Sequence, residues 1–187
     1  QISIEAFSSM IELAGFFSNI EIIQWCSEKA SKFNINLSFQ TFLAHLCLFA
    51  RFKNYEKAVQ TYDQITFNHE LIPTHIKLSL IDCFLSHDDI ERSLKATQRW
   101  ISENNEPDKN SPSNSPFSSD DVDNILSLYF ERSLYNEVMT ISSKVRELKN
   151  IALGMKGSNF TLIASIKIGQ FSTLIPSISE FSPSCDV

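Results

Sequence analysis

A chain of 187 residues can form one domain of ordinary size, and 43% apolar against 20% charged residues is the balance of a packed globular chain, not of a disordered tail or a fibre. Four Gly and six Pro supply too few turns for an all-β sandwich, which points to a helical chain. The net charge of −6 argues against nonspecific attraction to nucleic acid, and no DNA partner is expected.

Cys26, Cys47, Cys83 and Cys185 form no CxxC pair, so they read as reduced, buried thiols and not as a zinc or redox motif. No apolar run approaches the roughly 18 residues that would span a bilayer, so no membrane span is expected. The ends, Gln1 and the stretch Ser182-Pro-Ser-Cys-Asp-Val187, read as those of a segment of a longer protein.

A repeat is the dominant pattern. Asn19-Ile-Glu-Ile-Ile-Gln24, Asn54-Tyr-Glu-Lys-Ala-Val59 and Asp89-Ile-Glu-Arg-Ser-Leu94 align without gaps, their starts 35 residues apart twice. Leu134-Tyr-Asn-Glu-Val-Met139 follows 45 residues later, and Gln170-Phe-Ser-Thr-Leu-Ile175 another 36. The second residue of each copy is apolar: Ile20, Tyr55, Ile90, Tyr135 and Phe171. Three residues on stand Ile23, Ala58, Ser93, Val138 and Leu174; ten residues on stand Ala30, Ile65, Trp100, Val145 and Phe181. Offsets of three and ten lie on one face of a 3.6-residue helix. Asn19, Asn54 and Asp89 are placed to cap that helix, because their side-chain oxygens can accept a free N–H of the first turn.

Each of these B helices follows an apolar A segment: Ala6–Ala14, Phe39–Ala50, Ile76–Leu85, Val122–Phe130 and Phe160–Ile168. A lone pair of helices cannot bury both apolar faces, but a stack of pairs can. The expectation is therefore an all-α chain, an α-solenoid of about five helix-turn-helix repeats with period near 35. It forms one domain over 1–187 with units at 4–37, 38–72, 73–103, 119–150 and 157–181. The longer spacing falls at 104–118, a Pro/Ser/Asn-rich stretch that reads as a flexible insertion between units. Ser111, Ser113 and Ser115 are phosphorylation candidates within it, and Ser119-Asp-Asp-Val resumes the next A helix.

The third unit, Leu80-Ile-Asp-Cys-Phe-Leu-Ser-His-Asp-Asp-Ile-Glu-Arg-Ser-Leu94, resembles the pentatricopeptide run LIDGLCKAGRVEEAL, and Leu71-Ile-Pro73 is similar to that family's inter-repeat segment. The resemblance spans roughly residues 4 to 181. The family's turn glycine stands only at Gly169, its counterparts being Ser18, Lys53, Asp88 and Ser133. Tetratricopeptide repeats, protein-docking relatives in architecture, are the second choice. The pentatricopeptide resemblance implies an organellar, mitochondrial factor of RNA metabolism or translation that binds single-stranded RNA or a ribonucleoprotein. It also implies that one polar side chain early in each A helix reads a base. The matching positions are Ser8, Leu43, Leu78, Asp123 and Asn159, of which Ser8, Asp123 and Asn159 can hydrogen-bond a base edge.

Charge pulls toward the protein-docking alternative, in which the chain is a scaffold within a larger assembly. The A segments carry Glu5, Glu12, Asp82, Asp120, Asp121, Asp123 and Glu131 against Arg51, Lys77, Arg132 and Lys167, and an acidic groove repels phosphates. No GxxxxGK[ST], GxGxxG, HExxH or GxSxG occurs, so no catalytic role, cofactor or metal site is expected. Trp25 and Trp100 are expected to pack between repeats.

Overall fold

The computed structural model describes residues 6, 9–11, 13, 14, 19–32, 39–65, 72–103, 118–148 and 151–170. Every regular element among them is helical. After helical residues at 6, 9–11, 13 and 14 come α1 (Ile20–Lys32), α2 (Phe39–Arg51), α3 (Tyr55–Gln64), α4 (Thr74–Ser86), α5 (Ile90–Glu103), α6 (Ser119–Phe130), α7 (Tyr135–Arg146) and α8 (Met155–Ile168). The proposed phosphorylation sites, most of the 104–118 insertion and the fifth B helix lie outside the described residues.

The hairpins are closed by one turn used again and again. Lys53, Asp88, Ser133 and Gly169 have φ of 55°, 58°, 60° and 75°, the left-handed conformation that ends a helix. Each donates its N–H three residues back, to Ala50, Leu85, Phe130 and Ile166. The next residue donates five back: Asn54 to Phe49, Asp89 to Phe84, Leu134 to Tyr129 and Gln170 to Ser165. This is the Schellman pair of bonds, which satisfies helix carbonyls that would otherwise lack partners. Asn19 makes the same five-back bond to Ala14, at 2.8 Å. The 35-residue spacing in sequence is thus a spacing of identical backbone turns. Three of them place a side chain where glycine would be unstrained.

Two compact units, Gln1–Asp89 and Ile90–Val187, divide the chain. In the first, Ile11 and Ala14 pack on Ile23 and Cys26 of α1 and Leu48 of α2. Helix α2 packs on both α3 and α4. The left-handed Lys53 has a tertiary use: its ammonium pairs with Asp82 of α4 and donates to Ser86 Oγ at 3.0 Å. Tyr55 stacks on His87 with centroids 5.1 Å apart and donates its hydroxyl to Asp89 at 2.5 Å, so one turn grips the next.

In the second unit α5 packs on α7, α6 on α7, and α8 on both α6 and α7. Its core contains hydroxyls that satisfy one another. Tyr129 Oη lies 2.6 Å from Ser93 Oγ and 3.0 Å from Thr97 Oγ1, and Ser142 Oγ lies 2.7 Å from Thr161 Oγ1. Burial pushes the Tyr129 phenol up to about 12 despite those two bonds, so it stays neutral at any physiological pH.

The B-helix pattern identifies the core positions with one shift. Ile23, Ala58, Ser93 and Val138 are fully buried, and Ala30, Ile65, Trp100 and Val145 are at most 5% exposed. Tyr55, Ile90 and Tyr135 are half-buried. Trp25 departs from expectation: it is 44% exposed, with Lys29 Nζ 5.8 Å above its ring. The A helices run longer than their apolar cores. Helix α6 begins at Ser119, where Ser119-Asp-Asp-Val suggests, three residues before the apolar run at Val122, and Ser118 and Asp121 close its start as a reciprocal capping box.

A left-handed residue with a Cβ costs about 1–2 kcal/mol. Asp88→Gly and Ser133→Gly are expected to raise unfolding stability by about 0.5–1 kcal/mol each in urea titrations, and Gly169→Ala to lower it by about 1 kcal/mol. A loss of stability in both glycine variants would contradict the shared turn.

Candidate functional site

The three side chains singled out for base reading meet different fates. Ser8 lies outside the described residues. Asn159 is exposed on α8. Asp123, on α6, is 6% exposed and is engaged inside the protein. Its Oδ1 accepts the Gly154 N–H at 3.0 Å, the donor that opens α8. Gly154 is the N-cap of α8 and makes no side-chain cap bond of its own, so the carboxylate caps α8 from another helix and also meets the positive end of its dipole. A Cβ on Gly154 or on Gly157 would run into that carboxylate. The two glycines therefore make the room that the acid fills. This tertiary cap starts α8 at Met155, five residues before the apolar run at Phe160. Nothing local in the sequence signals it.

The remaining matched positions are apolar, Leu43 being 6% exposed and Leu78 half-buried. Of the A-helix cations, Lys77 is 5% exposed, whereas Arg51 and Lys167 are exposed. On the B side, Lys95 is paired with Glu91 at 2.6 Å and Lys144 with Glu147 at 3.3 Å. These are exposed i,i+4 and i,i+3 pairs on solvated faces.

Chemically reactive groups are sparse. Burial raises the thiols of Cys26, Cys47 and Cys83 above their ordinary value, which keeps them protonated and unreactive. No group of three or more His, Cys, Asp or Glu that could hold a metal occurs among the described residues. No helix there is long and apolar enough to cross a membrane. The second unit has a cleft of about 660 Å³, lined by Val145, Arg146, Leu148, Ile151, Leu153 and Met155. Its side chains are aliphatic apart from Arg146 and Ser158, and they offer no acid–base pair.

The His45 ring is buried, 5% exposed and stacked on Phe49 at 5.9 Å. Burial is the main cause that lowers its pKa, and the Lys57 ammonium adds to it. Hydrogen bonding to the backbone of Ile23 and Thr41 opposes the shift. A base held neutral in the folded state and free to protonate when unfolded stabilises the fold above its unfolded pKa of about 6.5. That stability is lost as pH falls through and below this value.

Compared with known proteins, the chain matches no protein-family model and no curated protein.

Two outcomes follow from these environments. Gly157→Ala is expected to cost about 1–3 kcal/mol by overpacking, and Asp123→Ala about 1–3 kcal/mol by leaving the Gly154 N–H unsatisfied. The double variant should cost less than the sum, because the alanine at 157 then meets no carboxylate; strict additivity in denaturation would disprove the coupling. Separately, urea midpoints should fall between pH 7 and pH 5, and His45→Gln should flatten that slope; an equal slope in both proteins would remove His45 as its source.

Proposed function

We propose that this chain is a non-enzymatic, pentatricopeptide-like helical-repeat module of an organellar RNA-metabolism or translation factor, one that engages RNA or a ribonucleoprotein. The hairpins are read as an α-solenoid. The observation that carries the reading is the recurrence of one left-handed helix-terminating turn at Lys53, Asp88, Ser133 and Gly169, spaced as the sequence repeat is spaced. Such turns with A-on-A and B-on-B packing inside a unit are what stacked hairpins need. The mitochondrial setting and the RNA ligand come from the resemblance at Leu80–Leu94. Direct base contact in this segment is assigned to Asn159 and, by its position, to Ser8. The Asp123 carboxylate is committed to the start of α8 and supplies register rather than readout.

A second reading, a tetratricopeptide-like protein scaffold, is favoured by one specific observation. Leu43 and Asp123, two of the five matched positions, are buried between helices instead of facing a ligand. With a net charge of −6, phosphate neutralisation has little to draw on.

Titration of a single-stranded RNA of mixed sequence against the chain at 25, 75 and 200 mM salt separates the two. The first reading expects binding at low salt that weakens steeply with added salt, and a loss of affinity in Asn159→Ala. No affinity at the lowest salt rejects direct RNA binding by this segment and leaves the scaffold.

A further inference from the structure

Helix α8 is built inside out for a surface helix. Its inward face is small and partly polar: Gly157, Ser158, Thr161, Ala164 and Ser165 are buried. Its outward face carries the bulk. Met155, Ile163 and Ile166 are 74%, 41% and 51% exposed, with exposed Asn159 among them. On a helix of 3.6 residues per turn these four fall within about 80° of one another. Exposed Lys156 and Lys167 border one edge of that stripe, and the helix contains no acid.

The repeat register indicates what belongs there. A shift of 36 residues brings the turn at Ser133 onto Gly169, and with it Asp123 onto Asn159, Leu126 onto Leu162 and Phe130 onto Ile166. On α6 those three residues carry the next A helix. Asp123 accepts the Gly154 N–H, Leu126 lies against Gly157, and the Phe130 ring is 4.7 Å from that of Phe160. The corresponding residues of α2, which packs on α4, are Leu43, Leu46 and Ala50, all buried. On α8 the same positions are open: Asn159 and Ile166 are exposed and Leu162 is half-buried. Among the described residues, an interface made by α2 and by α6 stands open on α8, with its apolar surface in place.

We propose that the Met155–Ile166 face of α8 docks one further helix, of the kind that α8 itself presents to α6. That helix carries small residues along its packing stripe and acidic residues opposite Lys156 and Lys167. Small residues let the backbones approach closely enough for Ile163 and Ile166 to be covered, and burial of their side chains drives the association. The inference rests on the hairpin register and not on RNA binding; because Asn159 stands in this face, a helix docked there and a base read there exclude one another, and the RNA titration tells the two apart.

A labelled peptide of residues 151–169 carrying K156E and K167E presents such a stripe and rim. It is titrated against the whole chain, with helicity gained on mixing read by circular dichroism. Saturable binding is expected, weakened at least about tenfold by Ile163→Glu with Ile166→Glu in the chain. Both substituted side chains are already exposed, so the helical signal of the chain should be unchanged. The same peptide carrying Gly157→Leu and Ala164→Leu should not bind. No binding to the unaltered chain, or binding indifferent to the substitutions on either side, overturns the proposal. Dimerisation of the chain that Ile166→Glu abolishes also overturns it, because bulk would then be seated on bulk. Affinity for single-stranded RNA that the same pair of substitutions removes would overturn it too, by giving the face to RNA.

Discussion

The reversal between paired helices is the constraint on which everything else depends. A helix end leaves carbonyls without partners, and a buried one must be satisfied locally. Here the solution is a single residue at positive φ with bonds three and five residues back, made at Lys53, Asp88, Ser133 and Gly169. Because the turn has fixed length and hand, it sets how the following helix returns along the one before. Apolar side chains at fixed offsets from it then arrive at the core together, as Ile23, Ala58 and Val138 do. Backbone geometry thus comes before side-chain packing in this protein, and the core residues follow from it.

The turns also explain where polar and charged groups are spent. Lys53 accepts a strained conformation and then uses its ammonium on Asp82 of the next A helix. Tyr55, just beyond it, reaches Asp89 at the next turn. Asp123 caps a helix that lacks a cap of its own. In each case a side chain from one hairpin completes the backbone or charge of its neighbour. Buried hydroxyl pairs such as Ser93–Tyr129 and Ser142–Thr161 do the same in the second unit, linking helices that stand in register.

Much of this was legible before the coordinates, and the misses have physical causes. Periodicity located the helices, because offsets of three and ten describe one helical face whatever the residues are. Burial of Ile23, Ala30, Trp100 and Val145 followed from that spacing. Lys53, Asp88 and Ser133 stand where the resembled family has its turn glycine, and all three adopt the left-handed turn without it. About 1–2 kcal/mol of strain is small beside the packing of two helices. The start of α8 was not legible, since its cap comes from Asp123, 31 residues away. The burial of Asp123 was hidden for the same reason, as a base-reading role and a tertiary cap ask for the same carboxylate. Trp25, expected to pack between repeats, is 44% exposed on α1 with Lys29 beside its ring.

The fixed turn has a consequence for how such a chain can change length. One residue added at Lys53 or Ser133 would move the positive φ off its position and rotate every later side chain by about 100°, taking the apolar face out of the core. Residues added between hairpins meet no such penalty, because closing a longer loop costs only slowly more. The extra ten residues of the third spacing lie there, between Glu103 and Ser118. Insertions and deletions tolerated by this architecture should therefore collect in its linkers and spare its reversals, so that descendants of the gene would differ in how far apart their hairpins stand and hardly at all in how each one folds back.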